Sequence, residues 1–492
     1  MTKSVKKFVI VLVAMLICAT VVFAACNKDN FKSVQVPQSG EVASNGGSAV
    51  VYGEWLYYVN GYTNDVSADN TYSNDVVASP RIGSVVRIKL ADIESLFEIN
   101  DDKDLTSSEK SEQIADAVRD KAETVIPKIY YSGNTTTTQF TGIYIYDNRI
   151  YVTTPNDALT ANGDPLTDQL VLMSFDLGGG DRQSHYTFTS NSAQIWLDKD
   201  SSGKLVAVYL MDNILHVLDV ASGVDTVVSA KDSSITNVGN TVSGVNWDVS
   251  SKSLFFIDEF YAICKLSFGS AQYDVVCENG TAKNHGDHIE AGSLTYTIKS
   301  ANKGVVYYTK NDTNENTASG NTILYWADES SNDNVALSTN DVTAFGWNKD
   351  KLVITDSYVA KQQTFYSICI VDGTTNAKTA ILAYGENNSS ITINKIEGDT
   401  LYYTSDSVAY TINLAEVDLD AAASGTYVEG TPYAKSLASA NGWSVPDFIE
   451  HNGAQYVVTL SSNAISIVKF NPEDKTNSNS VALTLAAKTT EE

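Results

Sequence analysis

Histidine, cysteine and proline are all scarce: the 492 residues hold 5, 5 and 8 of them. Five cysteines spread over so long a chain are not the disulfide framework on which small secreted domains depend. Cations are outnumbered too, with 33 Lys and Arg against 59 Asp and Glu and a net charge of -26. A surface of that sign repels nucleic acid and anionic headgroups, so no nucleic-acid partner is expected. Enzyme signatures are missing. There is no Gly-x-Ser-x-Gly elbow and no phosphate loop. His185, His216 and His451 stand alone, and acidic pairs such as Asp258-Glu259 mean little in so acidic a chain. The expectation is a protein that is not an enzyme. Helical periodicity is also rare, which points away from a helical fold.

What is present begins at the N-terminus. Lys3, Lys6 and Lys7 precede an apolar run from Phe8 to Phe23, and Ala24-Ala25 supply small residues for cleavage. Phe23-Ala24-Ala25-Cys26 resembles the bacterial lipobox, with Phe where Leu is usual. The resemblance implies that residues 1–25 are a signal peptide and that Cys26 is the acylated N-terminus of a protein anchored to the cell membrane, facing outside the cytoplasm. Acyl chains hold a chain to the bilayer surface without spanning it. Removal of residues 1–25 takes away three lysines and no acid, leaving 30 cations against 59 acids, a net -29. Residues 26–47 are polar, with Gly, Ser and Pro, and read as a flexible tether.

Residues 48–488 read as strands almost throughout. Short runs of Val, Ile, Tyr, Thr and Phe alternate with Asn, Asp, Gly and Ser turns. One strand recurs with paired aromatics or aliphatics: Trp55-Leu56-Tyr57-Tyr58, Arg149-Ile150-Tyr151, Leu205-Val206-Ala207-Val208-Tyr209, Leu254-Phe255-Phe256, Val305-Val306-Tyr307-Tyr308, Leu352-Val353-Ile354, Leu401-Tyr402-Tyr403 and Gln455-Tyr456-Val457. From Tyr151 onward the step is about 50 residues, a repeat length of propellers. Trp247 and Trp347 sit at equivalent places two repeats apart, with Trp196 one repeat before Trp247. The expected fold is an all-β propeller of four-stranded blades, A to D. Eight units are counted, and a ring of seven or eight blades fits them. A β-solenoid and a pair of sandwiches are the rivals. One helix is expected near 106–126, between strands C and D of unit one. Thr106 and Glu109 form its capping box, Ile114, Ala117, Val118, Ala122 and Val125 its apolar face, and Pro127 its end.

Leu254-Phe255-Phe256-Ile257-Asp258, followed by Ile263-Cys264-Lys265-Leu266, resembles the Leu-Tyr-Trp-Thr-Asp repeat of lipoprotein-receptor-type propellers. The resemblance implies a binding platform. Ligand contacts are expected on the rim formed by the B–C and D–A connections, since loops on a rigid scaffold commonly carry recognition. Three long B–C loops would line that rim. They carry Tyr62, Asp65, Asp69, Tyr72 and Asp75; then Asp157, Asp164 and Asp168; then Asp312 and Glu315. Solvated variable loops are the plainer reading.

Two clusters carry ligand-type side chains. His285, Asp287, His288 and Glu290 form a run able to hold Zn²⁺, or else a polar loop, and their spacing matches no established zinc motif. Asp198, Asp200 and Ser202 resemble the opening of a calcium loop, but the later carboxylate is absent and a plain hairpin turn also fits. No cofactor is required; Ca²⁺ or Zn²⁺ is the ion such clusters would take. Cys264 and Cys277 flank a turn near Gly269-Ser270, which would set them across a C–D hairpin as a disulfide. The function expected is a surface-anchored, non-catalytic propeller lipoprotein whose B–C/D–A rim binds a protein, peptide or glycan. The alternatives are an extracellular polysaccharide hydrolase or lyase, and an accessory subunit of an envelope complex.

Overall fold

Tyrosine and phenylalanine pairs explain the ring. Successive residues of a strand face opposite sides of its sheet, so an aromatic pair on a central strand supplies both neighbouring interfaces. In the computed structural model Phe256 packs into the cluster before its sheet and Phe255 into the cluster after it. Tyr308 and Tyr307 divide in the same way. The structure describes residues 42, 47–60, 84–126, 142–155, 169–190, 193–280, 282–285, 288–312, 322–339, 344–385, 391–406, 408–433, 448–460, 464–470 and 479–485.

The described strands form an eight-bladed β-propeller with four-stranded antiparallel blades. Blade 1 comprises Ala49–Tyr52, Trp55–Val59, Val85–Lys89 and Glu123–Ile126 as strands A to D. Blade 2 runs from Tyr144–Tyr146 to Gln183–Thr187, and blade 3 from Ala193–Lys199 to Val224–Val227. Blade 4 comprises Ser243–Asp248, Ser253–Ile257, Ile263–Ser267 and Gln272–Cys277. Ser229–Ala230 adds to it in parallel and covers the edge of its last strand. Blade 5 runs from Leu294–Asn302 to Asn334–Thr339. Blade 6 comprises Ala344–Asn348, Lys351–Ala360, Gln363–Asp372 and Lys378–Ala380. Blade 7 runs from Ile391–Glu397 to Thr431–Tyr433, and blade 8 comprises Phe448–His451, Ala454–Leu460, Ile465–Lys469 and Ser480–Ala482. The first strands of blades 4 to 7 touch one another in succession, which places strand A nearest the axis. The three tryptophans of the repeat, Trp196, Trp247 and Trp347, all lie on such first strands.

Each blade is built from consecutive strands, and among the described residues the first and last blades exchange no strand. Their faces pack directly. Leu56, Tyr58, Val86 and Ile88 of blade 1 share one apolar cluster with Tyr456, Val458, Ile465, Ile467 and Val481 of blade 8. The Tyr58 hydroxyl donates to the Leu483 carbonyl at 2.9 Å. The Asn60 amide and the Leu485 backbone exchange two hydrogen bonds, each 2.9 Å.

The expected helix is present with its capping box formed, but it ends earlier. Helix α2, Ser107–Lys121, stops before Ala122, and Val125 belongs to strand D of blade 1. A helix α1, Leu90–Asp101, precedes it and was not anticipated, because Lys89 supplies no side-chain cap to mark its start. Its Leu90, Ile93, Leu96 and Phe97 are buried at helical spacing. In blade 7 a short helix α3, Leu419–Ala423, lies between the last two strands, and the described part of strand D is Thr431–Tyr433.

Candidate functional site

The A–B and C–D turns share one rim, and short aspartate-capped turns dominate it. Asp176, Asp219 and Asp372 end a third strand, Asp328 directly follows one, and each accepts backbone N–H groups two to four residues ahead. Asp248 does the same at the end of a first strand. It takes the N–H groups of Ser250 and Ser251 and, across the blade boundary, the Gly304 N–H at 2.7 Å. Ion pairs join neighbouring blades here: Asp198 with Lys252 at 2.9 Å, Lys265 with Glu329 at 2.6 Å, and Asp328 with Lys349 at 2.5 Å. Lys303 and Asp399 pair across two blades. Beside them the buried Asn302 amide donates to the Trp347 and Gly398 carbonyls at 3.1 and 3.0 Å. The Lys204 ammonium and the Ser222 hydroxyl hold the Asp219 carboxyl down to about 2. Burial would raise Asp328, but Lys349 and the Ser330 hydroxyl outweigh it and hold that carboxyl at about 2 as well.

The B–C and D–A connections emerge on the other rim. The strands that flank residues 60–84, 156–169 and 313–321 make these three the B–C connections of blades 1, 2 and 5, as the repeat predicted. Tyr62, Asp65, Asp69, Tyr72, Asp75, Asp157, Asp164, Asp168 and Glu315 lie outside the described residues, as does Cys26. Asp312 ends the second strand of blade 5.

Two described features of this rim present aromatic surface. The first is the tight B–C turn of blade 4. Asp258 accepts the Phe260 and Ala262 N–H groups, both at 3.0 Å, and the Tyr273 hydroxyl at 3.1 Å. Burial pushes its carboxyl up. The Glu259 carboxylate takes the Val238 and Gly239 N–H groups at 2.6 and 2.7 Å, tying the turn to the neighbouring D–A connection. Held between these, Tyr261 adopts φ 62° and remains 41% exposed. A bulky side chain in the left-handed region is strained.

The second is the B–C hairpin of blade 6. Strands Lys351–Ala360 and Gln363–Asp372 pair along their whole length, and among the described residues strand A pairs as far as Ile354. Residues 355–360 run on for roughly 20 Å beyond that last described strand-A pair. Lys361 and Gln362 close the hairpin with φ 51° and 65°, as a type I′ turn requires. Tyr358 stacks on its cross-strand partner Phe365 at 5.0 Å and meets Tyr384 at 5.1 Å. The Tyr384 hydroxyl in turn donates to Asp356, which also pairs with Lys378 at 2.7 Å. Near the tip Tyr358 is 47% and Val359 72% exposed. No acid occurs between Asp356 and Asp372, and Lys361 is the single charge.

The ligand-type clusters take the following form. Lys283–Asn284 and Ile289–Glu290 make a two-stranded ribbon in the D–A connection after blade 4. The His285 and His288 rings stack at 4.9 Å, and His285 Nε2 lies 3.0 Å from a Glu290 oxygen. That contact holds the Glu290 carboxyl below its usual range. Asp287 lies outside the described residues. In the A–B turn of blade 3, Asp198 pairs with Lys252, and one Asp200 oxygen accepts from the Ser202 N–H, the Ser202 hydroxyl and the Lys204 N–H. This is the hairpin-turn arrangement. Among the described residues no three His, Cys, Asp or Glu side chains are grouped to hold a metal ion.

The expected disulfide is not formed: Cys264, Cys277 and Cys369 are free and buried. A register shift sets Cys277 across from Ile263 and Cys264 across from Val275. The two thiols consequently join different clusters, Cys264 with blade 3 and Cys277 with blade 5. Burial pushes the Cys277 thiol up to about 11.

No protein-family model and no curated protein matches the sequence. Solved structures match this chain at low identity and low TM-score. One is a prolyl endopeptidase, at 12% identity and TM-score 0.32, covering 80% of this chain and 53% of that one. Another is polysaccharide lyase Uly1, at 10% and 0.34, covering 72% and 91%. A third is BamB from Moraxella catarrhalis, at 10% and 0.27, covering 66% and 82%. The chain spans about half the length of the prolyl endopeptidase. None of these likenesses bears on activity. No described helix is long and apolar enough to cross a membrane.

Proposed function

We propose that this chain is a lipid-anchored, non-catalytic propeller that displays its B–C/D–A rim to a protein, peptide or glycan partner. Acylation at Cys26 fixes the molecule to the membrane surface, and residues 27–47 give it reach. The observation that supports this reading is the pair of braced aromatic projections on one rim. Tyr261 is held in a strained conformation by Asp258 and Glu259, and Tyr358 and Val359 stand on a hairpin stiffened by Phe365 and Tyr384. Rigid aromatics contribute contact area at little cost in conformational entropy. The net acidity selects a neutral or basic partner over an anionic one.

Two measurements test it. Metabolic labelling with a fatty acid checks the anchor: label on the wild type that disappears in Cys26→Ser supports acylation, and label retained in that variant refutes it. Soluble residues 27–492 are then presented to a glycan array and to cell-envelope fractions, beside a Tyr261→Ala/Tyr358→Ala/Val359→Ser variant. Retention lost in the variant supports the rim. Equal retention by both places binding elsewhere. Turnover of a retained glycan overturns the non-catalytic reading.

A further inference from the structure

We infer that the two-helix insertion of blade 1 is the clasp that closes the ring. The seam between blades 8 and 1 has a particular weakness. A ring whose last blade borrows a strand from the first is closed by a ladder of backbone hydrogen bonds. Here strands A to D of blade 1 and of blade 8 each come from one continuous stretch, so among the described residues no strand ladder crosses the seam, which is joined by packed side chains and by the bonds of Tyr58 and Asn60.

The insertion leaves blade 1 after Lys89, returns at Glu123 and meets the last blade on the way. Leu90, Ile93, Leu96 and Phe97 of α1, with Ile114 and Val118 of α2, join the same apolar cluster as Tyr456, Val481, Leu483 and Leu485. Among the described residues, that makes the seam the most populous apolar cluster of the ring. The Phe97 and Tyr456 rings lie 5.6 Å apart. Polar contacts continue the join at its edges. Asn100 donates to Asn479 at 3.0 Å, and Asn452 in the A–B turn of blade 8 donates to Glu94 at 2.9 Å. Within the clasp, Lys121 pairs with Asp92 at 3.0 Å, and Lys110 donates to the Asn100 carbonyl at 2.7 Å, so the two helices move as one piece. One side of the insertion is thus fused to blade 1 by the chain and the other is docked on blade 8. The same apolar residues stabilise the helices and shut the ring.

Hydrogen exchange of the full chain, read peptide by peptide, tests the inference. Leu96→Ala and the milder Phe97→Leu are compared with Asp116→Ala, whose side chain is exposed on the outer face of α2. A working clasp predicts that exchange in both core variants rises at 49–59 and 454–469 as well as in α1 and α2, by about tenfold or more for Leu96→Ala. Blades 3 to 6 keep wild-type protection. If Leu96→Ala does not fold, Phe97→Leu gives the same pattern at smaller amplitude. Faster exchange confined to residues 90–121, with the seam unchanged, would show that the helices only decorate blade 1 and would overturn the inference. A uniform rise in all eight blades would overturn it too, since the seam would then not be a separate opening unit.

Discussion

The two rims of this propeller solve opposite problems. On the A–B/C–D rim turns are mostly short, and their carboxylates are consumed internally by capping N–H groups or pairing with a lysine of the next blade. On the B–C/D–A rim the connections of blades 1, 2 and 5 are long, and carboxylates such as Asp258 and Glu259 serve to hold an aromatic outward. The lesson is that acidity alone does not mark a binding face. An aspartate already holding three donors is structural, whereas a tyrosine kept exposed at a cost in backbone strain is a candidate for contact.

Four experiments would break or sharpen that contrast. The largest effect is expected from Arg87→Ala, in the middle of strand C of blade 1 on the way to the A–B/C–D rim. Its guanidinium is almost fully buried, donates to the Leu177 carbonyl at 2.6 Å, pairs with Glu123 and lies 4.5 Å over the Trp55 ring. Truncation leaves a cavity and takes the shorter of two hydrogen bonds from the Leu177 carbonyl, whose other donor is the Tyr57 hydroxyl at 3.4 Å, a loss of about 3 kcal/mol or more in chemical denaturation. Asp248→Ala removes the acceptor of several part-buried donors and should cost about 2 kcal/mol, with faster exchange at Gly304.

Acid should act next, and on the same rim. Asp219 and Asp328 titrate at about 2 in the folded protein, below the value of about 3.9 for an unfolded chain. Their contribution is complete above the unfolded value and is lost as pH falls through the folded one. The urea midpoint should therefore decline between about pH 4 and 2, and less steeply in Lys204→Met/Lys349→Met. The smallest change in stability belongs to the open rim. Val359→Ser at the hairpin tip should shift it by no more than about 0.5 kcal/mol while weakening partner binding. A loss as large as that of Asp248→Ala would mean that the tip is packed rather than displayed.

Much of this division was legible from residues. The paired aromatics gave the blade interfaces, because alternation along a strand needs no tertiary information. The Thr106–Glu109 box gave the start of α2, since a cap is local. Helix α1 was harder to see: Leu90, Ile93, Leu96 and Phe97 have the right spacing, but no capping side chain separates them from the preceding strand. The Tyr358 hairpin was read only as far as Ile354, because the residues beyond it carry no local signal of where pairing with Gln363–Asp372 stops.

The sequence by itself determined the repeat, the four-stranded blade, the order of connections around the ring and the acidity of the chain, all of which are local or periodic. Tertiary structure alone decided three things. A one-residue register shift sent Cys264 and Cys277 into different interfaces. Carboxylates identical in sequence became spent or available according to the donors that reached them. Residues 90–121 became a bridge to blade 8 because the partners of Leu96 and Phe97 lie hundreds of positions away, and no local rule of helix or strand formation carries information over that separation.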